Sequence, residues 1–275
     1  MTAVSDAIAS GAVGERVWFY ANYHCNLTCS YCLTGSGPAV ARRLLDPALM
    51  VELAFQAREL GFRSLGVTGG EPFMVSHMPD TLATLANILP LVVLSNGTLF
   101  SGPRLERMEH LRGLPISIQI SLDSPDPDEN DSMRGPENFA KVVKAIPKLV
   151  DKGIKVRIAT TQEEIGEEAL ERLCKLHREL GVPDEDHVVR PVISRGRALT
   201  AGMGLSAGVE NIPCELTISA DGAFWSPFGP TVTNGDLDLD LLISRTVNPL
   251  SIAANAAVGL ATGTSAGADA TLGIR

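Results

Sequence analysis

Three of the chain's five cysteines fall inside one ten-residue stretch, "YHCNLTCSYC", with the spacing Cys25-x3-Cys29-x2-Cys32. Thiolates are soft ligands that hold zinc, or iron in iron–sulfur clusters. Structural zinc closes with four ligands. Only three thiols are local here, and His24 is the chain neighbour of Cys25, a poor position for a fourth ligand. Ferredoxin-type carriers also use four cysteines per cluster, at other spacings. Three thiolates on a four-iron cluster leave one iron open, and an open metal position is where a substrate or cofactor binds. Buried reduced thiols and a zinc knuckle are the competing readings of the same residues.

Other chemistry-bearing groups sit at the ends of apolar runs. "TGGEP" (Thr68 to Pro72) offers glycines that let backbone approach a ligand, and Glu71 can accept from an ammonium. "LSNGT" (Leu94 to Thr98) holds Ser95 and Asn96 at an Asn-Gly turn. In "ISLDSPDPDENDSMRG" (120–135), Ser121 and Asp123 alternate with Leu122 and share one face, which suits a ribose diol. Arg134 carries a planar fork that pairs two carboxylate oxygens at once. The acidic residues Asp126, Asp128 and Asp131 read as a solvated loop. Thr160, Thr161 and Gln162 end a later run. Arg190, Arg195 and Arg197 flank the next one and are candidates for meeting an anion.

Positioning these groups requires a regular scaffold, and the pattern supplies one. Strand-like runs at 17–23, 64–68, 91–95, 116–122, 154–160 and 187–193 alternate with helix-like runs at 46–61, 77–88, 101–112, 136–152 and 167–180. Asp46, Pro47 and Gly61 punctuate the first of these helices. Pro191 puts the sixth strand near an edge or an end. Six strand–helix repeats imply right-handed crossovers and a parallel sheet, either open or curled into a barrel. Loops at the strands' C-terminal ends then carry function. After residue 194 the rhythm stops. "CELTISADGAFWSPFG" (214–229) reads as a hairpin with an Asp-Gly turn. From 250 the chain is rich in Ala, Gly, Ser and Thr, and is expected to be loosely packed, with some helix near 251–260.

The three-cysteine loop, its aromatic Tyr31 before the third cysteine, and the ordered segments "TGGEP", "LSNGT" and "SLD…RG" together resemble the radical S-adenosylmethionine (SAM) superfamily. Ser124 stands where that family more often has glycine. The resemblance implies an α/β fold: a partial (β/α)6 TIM-like barrel over 17–195 with a short C-terminal α+β extension over 196–275. It implies one [4Fe-4S] cluster on Cys25, Cys29 and Cys32. It implies a SAM pocket formed by Tyr31, Gly69, Gly70, Glu71, Pro72, Ser95, Asn96, Ser121, Asp123 and Arg134. In the family, SAM is reductively cleaved to methionine and a 5′-deoxyadenosyl radical, which abstracts a substrate hydrogen. The C-terminal third resembles the start of a SPASM-type extension, including its hairpin and the stretch before a short helix. It lacks the thiols of an auxiliary cluster: Trp225-Ser226-Pro227 stands where a cysteine is usual. Cys174 reads as core, and Cys214 as a packing residue. The extension is expected to cap the barrel mouth and shape the substrate pocket. Peptide or natural-product maturation is the leading expectation, with sugar, aminocyclitol or cofactor biosynthesis as the alternative and a non-catalytic metal scaffold as a remote one. An electron donor of the flavodoxin or ferredoxin kind is implied. No acid or base is assigned.

Bulk composition agrees. Among 275 residues, 45% are hydrophobic, enough for a sizeable core. The net charge of −9 argues against nucleic acid or an anionic membrane as main partner. No run approaches the ~20 apolar residues of a membrane span. The N-terminal residues lack a basic region and make a poor signal peptide, so a cytoplasmic location is expected. An odd, clustered cysteine set does not look like a secreted disulfide framework.

Overall fold

The computed structural model describes residues 2–163, 165–206, 213–233 and 235–263. After a short helix α1 (Ala3–Ala9) come six strands: β1 (Arg16–Tyr20), β2 (Ser64–Thr68), β3 (Leu91–Ser95), β4 (Ile116–Ser121), β5 (Lys155–Gln162) and β6 (His187–Pro191). Each pairs in parallel with the next. The intervening helices are α2 (Pro47–Leu60), α3 (Met78–Ala86), α4 (Gly102–Arg107), α5 (Pro127–Arg134), α6 (Asn138–Asp151) and α7 (Glu167–Glu179). This is the α/β parallel sheet that the alternation implied, in the partial-barrel form that the resemblance implied. Val17, Phe19, Leu65, Val67, Ile118 and Ile120 lie in one buried cluster with Leu53, Leu82 and Ile146 of the helices. The residues alternating with them, such as Trp18 and Gln119, take the concave face. Pro191 does end an edge strand: β6 terminates the sheet.

Helix α2 forms for the reasons its sequence suggests. Asp46 accepts from Ala48 N at 2.8 Å, Pro47 takes the first position, and Gly61 closes the helix with φ +100°.

Past β6 a short helix α8 (Gly196–Thr200) leads away from the barrel. The hairpin then forms as β7 (Leu216–Ser219) and β8 (Gly222–Phe224). It joins the main sheet, because β7 pairs in parallel with β1. The pairs β9 (Thr231–Thr233) and β10 (Asp236–Asp238) form a small separate ladder. Where a short helix was expected, β11 (Leu242–Ser244) instead pairs with β8, giving the order β11-β8-β7-β1-β2-β3-β4-β5-β6. The alternation in "DLDLDLLIS" favours strand over helix.

Two expectations are corrected. The helix expected near 251–260 forms as α9 (Leu250–Thr262), but it is packed rather than loose, and the residues after Gly263 lie outside the described part. Leu250, Ala253, Ala254 and Ala257 form its buried stripe, at i, i+3, i+4 and i+7. Gln56 of α2 anchors its start, accepting from Leu250 N at 2.7 Å. The acidic run after β4 is not a plain loop. Asp126 caps α5 by accepting from Asp128 N and Glu129 N, and that helix carries Arg134 in its last turn.

Helix α7 buries His177 completely, its ring meeting His187 edge to face at 4.4 Å between centroids. Neither ring nitrogen has a partner among the described residues. Burial, and then the neighbouring His187, push His177 down to about 3. In the unfolded chain the ring protonates near pH 6.5, so below that pH the unfolded state binds more protons and stability falls. Urea unfolding is expected to show a loss approaching ~1.4 kcal/mol per pH unit from this one group between about pH 6 and 4. His177→Leu should flatten that slope; an unchanged slope would assign the pH dependence elsewhere.

Candidate functional site

The cysteine loop leaves β1 at the C-terminal end of the sheet, where the ends of β2 to β5 gather the other candidate residues. Gly69 and Gly70 are required by close packing against this connection. A Cβ on Gly70 would lie 2.1 Å from His24 O, and one on Gly69, at φ +144°, 2.4 Å from Asn22 O. Gly70 N and Glu71 N donate to Asn22 O and His24 O at 2.8 and 2.9 Å. The loop after β2 is thus clamped to the residues leading into Cys25.

Glu71 is fully buried. It accepts from Phe73 N at 3.1 Å, Ser95 Oγ at 2.9 Å and Asn96 N at 2.7 Å. Its carboxylate therefore ties the loop after β2 to the loop after β3, and burial raises it to about 7. Pro72 starts the short 3-10 turn that Glu71 caps. Asn96 extends the chain of contacts: its Nδ2 donates to Asn26 Oδ1 at 2.9 Å and approaches Cys25 Sγ at 3.7 Å.

On the other side, Tyr31 and Arg134 both donate to Asp123, and Arg134 also donates to the Tyr31 hydroxyl. The Arg134 Nη1 to Asp123 Oδ2 distance is 2.9 Å, and Thr161 N donates to Asp123 Oδ1 at 2.9 Å. Gln162 donates to Asp123 O. Cys29 Sγ lies 3.8 Å from Arg134 O, so this group abuts the cysteine loop directly. Ser121 is half-buried at the end of β4 and takes part in none of these hydrogen bonds.

The chain beyond residue 195 proves to be a brace for the cysteine loop. Arg197 donates from its backbone N to Cys32 O at 3.0 Å, from Nε to Cys29 O at 2.8 Å, and from Nη1 to Gly35 O at 3.0 Å. Thr231 Oγ1 donates to Leu33 O at 3.0 Å and Val232 N to Thr34 O at 2.8 Å. Gly35, at φ +68°, admits β9 because a Cβ there would lie 2.1 Å from Val232 O. Sequence reasoning singled out Arg197 for an anion and gave Thr231 and Val232 no role. Arg195, the other candidate here, is spent on a paired fork to Asp240 at 2.8 Å.

Cys25 and Cys29 are not poised as nucleophiles. Burial, and then Glu71, push Cys25 up to about 12, and burial raises Cys29. A reactive cysteine needs the opposite environment, whereas a metal deprotonates its thiols outright. Among the described residues no three His, Cys, Asp or Glu side chains converge on a single-ion centre. His24 is engaged with Val40 O at 3.2 Å. Polar atoms left open beside the thiols fit a bound polar cofactor. Arg134 Nε and Asn22 Oδ1 are buried with no partner among the described residues.

Fold and site together define an α/β partial barrel whose first strand leads into a three-thiol, cluster-type loop. The chain belongs to the radical SAM superfamily, whose family model matches residues 21–180. It is 31% identical over 131 residues to a probable GTP 3′,8-cyclase of Archaeoglobus fulgidus, covering 47% of this chain and 43% of that protein. It is 31% identical over 165 residues to the antilisterial bacteriocin subtilosin biosynthesis protein AlbA of Bacillus subtilis, covering 59% of this chain and 36% of AlbA. The fold resembles that of Streptococcus suis SuiB bound to its precursor peptide SuiA, with TM-score 0.58 and 18% identity, covering 69% of this chain and 42% of SuiB. The chain spans less than half the length of each. It is a radical SAM enzyme, and membership implies a [4Fe-4S] cluster and SAM. Among the described residues, no helix is long and apolar enough to cross a membrane.

Proposed function

We propose that this enzyme modifies a peptide substrate by hydrogen abstraction, with a single cluster held by Cys25, Cys29 and Cys32. The cluster and SAM, when bound, supply the electron and the abstracting radical. The chain's own residues do the rest. Gly69 and Gly70 bring backbone close to the cofactor, and Arg134 offers its open Nε to the cofactor's carboxylate. Tyr31, Ser95, Asn96 and Ser121 line the pocket beside it. Glu71, Pro72 and Asp123 hold those groups in place through the contacts above. In this reading 17–195 is the catalytic barrel, and the segment from 196 braces the cluster loop as well as covering the mouth. A flavodoxin or ferredoxin supplies the electron.

The observation that carries the peptide assignment is the β7–β8 hairpin docked on β1, the part of the chain that looks like the start of a SPASM extension. The likenesses to AlbA and SuiB support it. The second reading, a small-metabolite substrate, is favoured by the likeness to the GTP cyclase. The reconstituted protein, reduced under anaerobic conditions, is expected to release 5′-deoxyadenosine from SAM. A short peptide encoded next to its gene should accelerate that release and change mass. Conversion of GTP with no peptide turnover would replace the peptide reading.

A further inference from the structure

The concave face of the barrel carries more positive charge than its carboxylates balance. Arg16, Lys155, Arg157 and Arg190 gather there with Asp186 and Glu215. Asp186 is shared, with Lys155 Nζ at 3.0 Å and Arg157 Nε at 3.6 Å from the same oxygen. Glu215 accepts the indole N–H of Trp18. Among the described residues Arg16 donates to a hydroxyl, Ser64 Oγ at 3.3 Å, and lies over the Trp18 ring at 5.2 Å. Arg190 reaches in from the edge strand to Gln119 Oε1 at 3.4 Å. Loss of hydration, then the charges of Arg157 and Arg16, hold the Arg190 guanidinium below its ordinary value, with Glu215 opposing.

Some surface arginines elsewhere are neutralised by a close carboxylate, as Arg43 by Asp221 and Arg178 by Asp184, both at 2.7 Å. The barrel cluster differs, because like charges converge on open space. A cavity of about 540 Å³ opens among Arg16, Ser64, Ser117, Lys155, Arg157 and Asp186, a volume suited to part of a small ligand. Gly66 keeps this interior in shape: a Cβ there would lie 2.2 Å from Trp18 Cε3, so only glycine lets the indole lie flat on β2. Four residue steps along β1 separate the level of Arg16 from that of Tyr20, near the cluster loop. At ~3.3 Å per residue that is about 13 Å.

We propose that Arg16 and Arg157, which line the cavity, bind an oxyanion of the substrate, a carboxylate or a phosphate, at the floor of the barrel, with the Arg190 guanidinium beside them at Gln119. The link to hydrogen abstraction rests on the function proposed above; the anion site itself does not.

The test is calorimetric titration of the reconstituted protein with two probes, inorganic tripolyphosphate and an acetylated tri-glutamate peptide. At least one should bind at low salt. Arg157→Gln and Arg190→Gln should each weaken it by roughly tenfold or more, Arg157→Lys by less, and Arg104→Gln on the exposed face of α4 not at all. Binding of tripolyphosphate alone identifies a phosphorylated substrate; binding of the peptide alone identifies an acidic one. Should Arg157→Gln unfold because Asp186 loses its partner, Arg16→Gln and Arg190→Gln, which break no ion pair, carry the test. Failure of both probes, survival of binding in the variants, or equal loss in Arg104→Gln overturns the site. Peptide turnover is measured separately, so its absence would retire the peptide reading and leave the isotherms standing.

Discussion

Replacing Cys25, Cys29 or Cys32 with alanine is expected to reduce 5′-deoxyadenosine release below detection and to strip most of the iron and sulfide from the reconstituted protein. Removing outer groups that merely orient metal ligands typically costs 10–100-fold, and loss of a ligand exceeds that. The fold should survive, because each thiol sits in a loop held by backbone contacts. Cys32 O and Cys29 O are gripped by Arg197, and Leu33 O by Thr231, none of which needs a sulfur. The melting temperature of the iron-free variants should therefore match that of the iron-free parent. Cys174→Ala and Cys214→Ala are the controls. Cys174 Sγ faces His187 Nδ1 at 3.8 Å, and Cys214 Sγ faces Ala257 O at 3.8 Å. Burial, and then Glu215, raise Cys214 to about 11. Full iron content in all three loop variants would overturn the assignment of the loop; loss of iron in the control variants would show a ligand set wider than three.

What could be read from the sequence follows from how local each signal is. Asp46, Pro47 and Gly61 act within one helix, and the structure places α2 between them. The Cys25-x3-Cys29-x2-Cys32 loop and "TGGEP" each act within a few residues, and the alternation of apolar runs positions them on one end of a sheet. The helix near 251–260 was legible and forms as α9, but its packing was not, because its buried stripe is mostly alanine, whose periodicity is hard to tell from a low-complexity tail. α5 was obscured by Pro and Asp, which mark a loop unless Asp126 is recognised as the cap. The brace by Arg197, Thr231 and Val232 has no local signature at all. Arg197 meets Cys29 across 168 residues, and Thr231 meets Leu33 across 198. The arginines of the barrel interior were likewise invisible as a group, since Arg16, Arg157 and Arg190 converge only when β1, β5 and β6 curl toward one another.

Arg134→Ala is expected to do more than weaken SAM binding. The Arg134 side chain is 6% exposed and that of Asp123 is 0% exposed, with 2.9 Å between them. Removing the arginine strands a buried carboxylate whose remaining donors are Tyr31 and Thr161 N. Breaking a buried pair in this way costs about 3–5 kcal/mol, whereas replacing both partners costs far less. Urea unfolding should therefore show Arg134→Ala badly destabilised, and Asp123→Asn with Arg134→Met more stable than the two single changes predict by about 2 kcal/mol or more. Additive singles would mean that the pair is not coupled. Arg134→Lys separates stability from ligand binding. It keeps the charge beside Asp123 but removes the planar fork and the open Nε. Its SAM affinity should fall by the ~1.5–3 kcal/mol of a charged hydrogen bond, while the unfolding midpoint moves little. A stable Arg134→Lys variant that binds SAM normally would leave Arg134 as a partner of Asp123 and nothing more, and the carboxylate of the cofactor would need another host at the barrel mouth.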